Sequence, residues 1–179
     1  MVPVVSIVGK SNVGKTTFMV KLIGELKRRG YKVAVIKHNV HHFEIDHPGK
    51  DTYRHAEAGA DAVVIASAHK LAMIKKLEEE LSIQDVVALL GPGYDLVLTE
   101  GYKREPFPKI EVSRMAHSAD LISEEDELIA VVTDNTFAID RPHFGLDDAT
   151  GVADLLEREI MAAERRPSEV EGSQRGALR

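Results

Sequence analysis

The chain has 179 residues, 44% of them apolar and 29% charged, with a net charge of −6 and no cysteine. That length supports one domain with a core, and the missing cysteines exclude disulfides and thiolate metal sites. No overall basic field draws the chain to nucleic acid or anionic lipid, and no stretch reaches the roughly 20 apolar residues of a membrane span. The start of the chain lacks the basic segment of a signal peptide, so a cytoplasmic location is expected.

Val2 to Val8 reads as a buried strand that runs into Gly9-Lys10-Ser11-Asn12-Val13-Gly14-Lys15-Thr16. Thr16 to Arg29 reads as a helix, with Met19, Leu22, Ile23 and Leu26 on one face and Gly30 just past its end. A second strand, Tyr31 to Ile36, leads into a polar, histidine-rich loop from Lys37 to about Gly49. Asp51 to Ala58 reads as a short helix capped by Asp51 and ended by Gly59. Ala62 to Ala66 and the apolar run His69 to Ile74 read as strands, and Ile83 to Leu90 as a helix stopped by Gly91-Pro92-Gly93. Asp95 to Thr99, Lys109 to Val112 and Leu128 to Val132 read as further strands, and Val152 to Ala163 as a closing helix. From about Arg165 the pattern vanishes, and a disordered tail over 165–179 is expected.

The alternation of strand and helix patterns predicts an α/β chain with a largely parallel sheet. The pattern G-x-x-x-x-G-K-[ST] occurs at the strand-to-helix junction where such a phosphate loop belongs. The expected fold is therefore P-loop NTPase-like: three layers, a mostly parallel central sheet and helices on both faces, in one domain over 1–164. Gly9 and Gly14 allow backbone that a Cβ would block, so successive N–H groups can form an anion nest at the positive end of the helix. Lys15 is expected to bridge the β- and γ-phosphates, and the Thr16 hydroxyl to ligate Mg²⁺. The nucleotide-binding set expected is Gly9, Lys10, Ser11, Asn12, Val13, Gly14, Lys15, Thr16 and Thr17. Lys10 reads either as a residue reaching a partner subunit's nucleotide or as a solvated surface lysine.

Hydrolysis of a nucleoside triphosphate needs an acidic group near Mg²⁺ and a group that positions water. Glu100 ends the apolar run Leu96-Val97-Leu98, at the carboxyl edge where open α/β sheets bind ligands. Asp46, in the loop after the second strand, sits where a switch segment meets the γ-phosphate. Glu100 and Asp46 are the expected catalytic pair and, with Thr16, the expected Mg²⁺ ligands. Asp51 reads equally as a switch residue or a helix cap. His38, His41, His42 and His47 could hold a transition metal or simply line a polar loop, and their spacing matches no standard zinc signature. Lys103, Arg104 and Lys109 read as contacts for an anion or as a solvated loop. Asp134 reads as an acceptor for guanine or as part of an Asp-Asn turn.

Taken together, Ile36-Lys37-His38, His41-His42-Phe43-Glu44-Ile45-Asp46, Pro48-Gly49-Lys50-Asp51-Thr52, Glu100-Gly101-Tyr102-Lys103 and Pro108-Lys109-Ile110-Glu111 resemble the MobB family of molybdopterin-guanine dinucleotide biosynthesis adaptor proteins. The resemblance spans about residues 3 to 160. It implies a P-loop GTP-binding protein, usually dimeric, for which weak GTPase activity is expected. Its implied partners are the molybdopterin guanylyltransferase that it assists and molybdopterin itself. The residues alone leave two other readings open, a small-molecule kinase and another P-loop GTPase. The chain has no Asn-Lys-x-Asp guanine motif, and its arginines are scattered.

Overall fold

The computed structural model describes residues 2–38, 43–117 and 120–162. The histidines at 41 and 42 and the expected tail over 165–179 lie outside the described residues. Within the stretch expected to form one domain, the chain divides into two compact units. Residues 39–91 form one, and the segments on either side of them form the other.

The flanking segments build a six-stranded sheet from β1 (Val4–Val8), β2 (Val33–Lys37), β5 (Leu96–Glu100), β6 (Lys109–Ser113), β7 (Leu128–Thr133) and β8 (His143–Phe144). Their order is β2-β5-β1-β6-β7-β8, and every pairing is parallel. The expected mostly parallel α/β sheet is therefore present. The near-continuous apolar strands Val-Val-Ser-Ile-Val and Leu-Ile-Ala-Val-Val are what a parallel sheet buried on its faces demands. Two of the polar exceptions pair with each other: Ser6 and Thr99 are register partners, and the Thr99 hydroxyl donates to Ser6 Oγ at 2.9 Å.

Helix α1 (Lys15–Arg28) buries Phe18, Met19, Leu22 and Leu26 in the core formed by Val5, Ile7, Leu96, Leu98 and Ile110. Helix α4 (Ala149–Leu156) packs beside α1, adding Val152, Leu155 and Leu156. The closing helix was expected to start at Val152. It starts earlier because Asp148 caps it, accepting from the Gly151 N–H at 2.8 Å. It then widens into a π-type turn over Glu157–Met161. The two-residue β8 left no sequence signal.

Residues 39–91 carry α2 (Asp51–Glu57), the antiparallel hairpin β3 (Ala62–Ala66) and β4 (Leu71–Lys75), and α3 (Ile83–Leu90). Asp51 is not the cap of α2. Lys50 holds that position without a side-chain bond, and Asp51 is the first helical residue, where its charge complements the helix dipole. Ser82 caps α3 by accepting from the Asp85 N–H at 3.2 Å. The hairpin leaves Val64, Ile65, Leu71, Met73 and Ile74 exposed. No described helix is long and apolar enough to cross a membrane.

Candidate functional site

Strand β1 lies at the middle of the sheet, between β5 and β6, so the loop that follows it emerges at the carboxyl edge with neighbours on both sides. Gly9 leaves β1 with φ of 134°, and a Cβ there would stand 2.2 Å from the Val112 carbonyl oxygen of β6. Only glycine fits, since neither that backbone angle nor that approach admits a side chain. Asn12 (φ 63°) and Gly14 (φ 101°) complete the turn into α1. Val13 anchors the loop from inside, with its side chain in the core, while Ser11, Asn12, Thr16 and Thr17 face outward.

The Lys15 ammonium reaches back across the loop, donating to the carbonyl oxygens of Gly9 at 3.0 Å and Lys10 at 2.7 Å. Partial burial pushes its pKa down, opposed by the Glu100 charge and reinforced by Lys37 and Lys103. The Thr16 hydroxyl donates to Glu100 Oε1 at 2.9 Å. Lys37 Nζ stands 3.6 Å from the same oxygen, because Lys37 and Glu100 are register partners at the ends of β2 and β5. The loop residues 9–17 and Glu100 thus form one cluster. Sequence reading missed Lys37; its signal was a lysine closing the apolar strand Val-Ala-Val-Ile.

Gly101, just past Glu100, has a φ of 105°. The close approach it allows is to His38, whose Cβ would lie 3.2 Å from a Cβ at 101. His38 stacks on Tyr102 with ring centroids 4.4 Å apart, and Tyr102 holds a positive φ of 50°. Lys103 and Arg104 are exposed on the loop beyond. Lys109 fits neither reading given to it: it is fully buried and paired to Glu127 at 2.6 Å. Glu111 is buried too, accepting the N–H groups of Ile122 and Ser123 at 2.8 and 3.0 Å. Asp134 uses Oδ1 to accept the Met115 N–H at 2.7 Å, tying the ends of β6 and β7.

Asp46 belongs to the 39–91 unit, where its Oδ1 accepts the His47 N–H at 2.8 Å. Among the described residues no three His, Cys, Asp or Glu side chains gather to hold a metal. A hydroxyl and a carboxylate in contact, as at Thr16 and Glu100, are the hard oxygen donors that Mg²⁺ takes, so the loop residues fit a magnesium-bound phosphate.

A parallel sheet whose central strand feeds a glycine-rich loop and a helix defines an α/β protein organised around a strand-to-helix glycine loop. The family model for molybdopterin guanine dinucleotide synthesis protein B matches residues 4–134. The chain belongs to that family, MobB. It is 35% identical over 157 residues to the molybdopterin-guanine dinucleotide biosynthesis adapter protein of Haemophilus influenzae, covering 87% of this chain and 88% of that one. It is 34% identical to the protein of that name in Escherichia coli K12, covering 87% of this chain and 92% of the other. The crystal structure of Bacillus subtilis MobB superposes with a TM-score of 0.69 at 28% identity, over 87% of this chain and 96% of that chain.

Proposed function

We propose that this chain is an adapter in molybdopterin guanine dinucleotide biosynthesis that binds GTP with Mg²⁺ at the loop 9–17 and hydrolyses it weakly. The observation that carries the nucleotide reading is the Thr16–Glu100 hydrogen bond beside a loop that excludes a Cβ at Gly9. The adapter role rests on the relatives named above, and guanine on the family resemblance. Bound Mg²⁺ would neutralise charge on the phosphates. The chain's own part is to hold: inward N–H groups and Lys15 grip phosphate oxygens, Thr16 and Glu100 hold the ion, and Glu100 orients water. The part in hydrolysis expected of Asp46 from the sequence is tested by Asp46→Asn in the same measurements as Glu100→Gln. The enzyme assisted is the guanylyltransferase, with molybdopterin as its other ligand.

The active form is proposed to be a homodimer. Two exposed strands with apolar side chains on the outside are marginal in water by themselves. Lys75-Lys76 and Glu78-Glu79-Glu80 follow in the same segment, so a second copy related by a two-fold can meet both the apolar and the charged parts with their complement.

Titration of the purified protein with GTP and ATP, with and without Mg²⁺, tests the nucleotide reading. Mg²⁺-dependent binding that favours GTP is expected, and ATP bound as tightly or no binding at all would overturn it. Glu100→Gln is expected to slow hydrolysis much more than it weakens binding, because its contribution is concentrated in the transition state. Equal rates in parent and variant would remove Glu100 from the site.

A further inference from the structure

Arg114 follows the last residue of β6 and has no part in the site as described so far. Register sets its position. Val8, the last residue of β1, is the partner of Glu111, so the chain beyond Glu111 emerges beside the glycine loop. A Cβ built on Gly14 would stand 3.6 Å from Arg114 Nη2. The guanidinium therefore lies against the last glycine of the loop, immediately before Lys15 and Thr16.

Arg114 Nε is buried and makes no hydrogen bond among the described residues. A buried donor without an acceptor is costly, and native proteins rarely leave one without a use. Arg114 acts on Asp147, whose carboxyl is held below the ordinary range first by its bond from Lys21 and, more weakly, by Arg114. Asp147 is thus already engaged by another cation. The backbone around Arg114 is tied down on the far side. Asp134 accepts the Met115 N–H at 2.7 Å, and the His117 N–H closes on the Arg114 carbonyl at 2.8 Å. This is a guanidinium on a fixed turn, beside the loop, with donor capacity in hand.

We propose that Arg114 is a second phosphate-binding cation of the loop, holding the phosphate chain of a nucleoside triphosphate from the β6 side while Lys15 holds it from the helix. This rests on the nucleotide reading above. A planar guanidinium offers two parallel donors to phosphate oxygens, which an ammonium cannot do. Arg114 would therefore add orientation as well as charge.

The test compares Arg114→Gln, Arg114→Lys and Lys15→Ala for GTP and GMP binding, with thermal melts as a folding control. Arg114→Gln is expected to weaken GTP binding roughly tenfold, the scale of one charge-assisted bond, with Arg114→Lys in between and GMP affected less. If Lys15→Ala loses GTP affinity while Arg114→Gln binds like the parent, this inference fails and the nucleotide reading stands. If neither variant loses affinity, both fail. A measurement on the unaltered protein covers the case of a poorly folded variant. Arginine modification by phenylglyoxal, read by peptide mass, is expected to slow at Arg114 when GTP and Mg²⁺ are present and to continue unchanged at Arg104. Equal rates at Arg114 with and without GTP overturn the proposal.

Discussion

The contrast between Gly9 and Gly24 shows how differently one residue type can be used. Gly24 lies inside α1 with nothing within 4 Å of a Cβ built on it, whereas at Gly9 the Val112 carbonyl fills that place. Gly24→Ala should raise stability by roughly 0.5–1 kcal/mol, because alanine suits a helix interior better. Gly9→Ala should lower it by on the order of 1–3 kcal/mol from the backbone angle alone, before the clash is counted. Thermal denaturation of the two variants reads opposite shifts. The loop was legible at residue level because its glycine spacing marks the turn from a buried strand into a helix, and Glu100 because it closes an apolar strand. The roles of Lys109 and Glu111 were not. Both are charged residues in a short segment, and only the tertiary fold reveals that Glu127 and the Ile122–Ser123 backbone neutralise them inside. Lys37 needed the pairing of β2 with β5, which strand patterns alone do not supply.

Among the elements, α1 and α4 are joined by charge as well as by apolar packing. Arg29 bonds Glu25 within α1 and Asp154 across to α4 at 2.7 Å each, with Glu157 at 3.0 Å. The bonds from Arg28 and Arg29 hold the Glu25 carboxyl at a pKa of about 2, against 4.5 ordinarily. A depressed carboxylate stabilises the fold above the unfolded pKa, and that contribution is lost as pH falls through the folded one. The melting temperature of the parent should therefore exceed that of Glu25→Gln at neutral pH. The gap should close as pH drops from about 4.5 toward 2. A gap that persists at the acid end would mean that the variant fails through packing and not through charge. Helix α1 was legible because its apolar positions repeat at the helical period and Gly30 ends it. The start of α4 was missed because Thr150 and Gly151 interrupt the apolar pattern between Ala149 and Val152, and its cap is set by Asp148, whose carboxylate accepts from the Gly151 amide.

For the whole molecule, the exposed hairpin is the reason for proposing a dimer. Light scattering at micromolar concentration should give twice the 19.7 kDa of one chain, and a monomer mass would refute the dimer. Ile74 is 40% exposed, so Ile74→Glu should dissociate a dimer without unfolding the chain. The alternation of strands and helices made the α/β class legible; the boundaries of the 39–91 unit fall at the histidine-rich segment and at Gly91-Pro92-Gly93, which read only as a loop and a helix stop. The Val112 carbonyl that fills the Cβ position of Gly9 has a consequence for motion. With Gly9 fitted against β6 and Val13 and Phe18 locked in the core on either side of the turn, the loop cannot swing open by itself. It opens only when the sheet does, as part of one cooperative unit. Deuterium should therefore reach the Phe18 amide, which donates to the Gly14 carbonyl at 2.9 Å, about as slowly as the amides of β1.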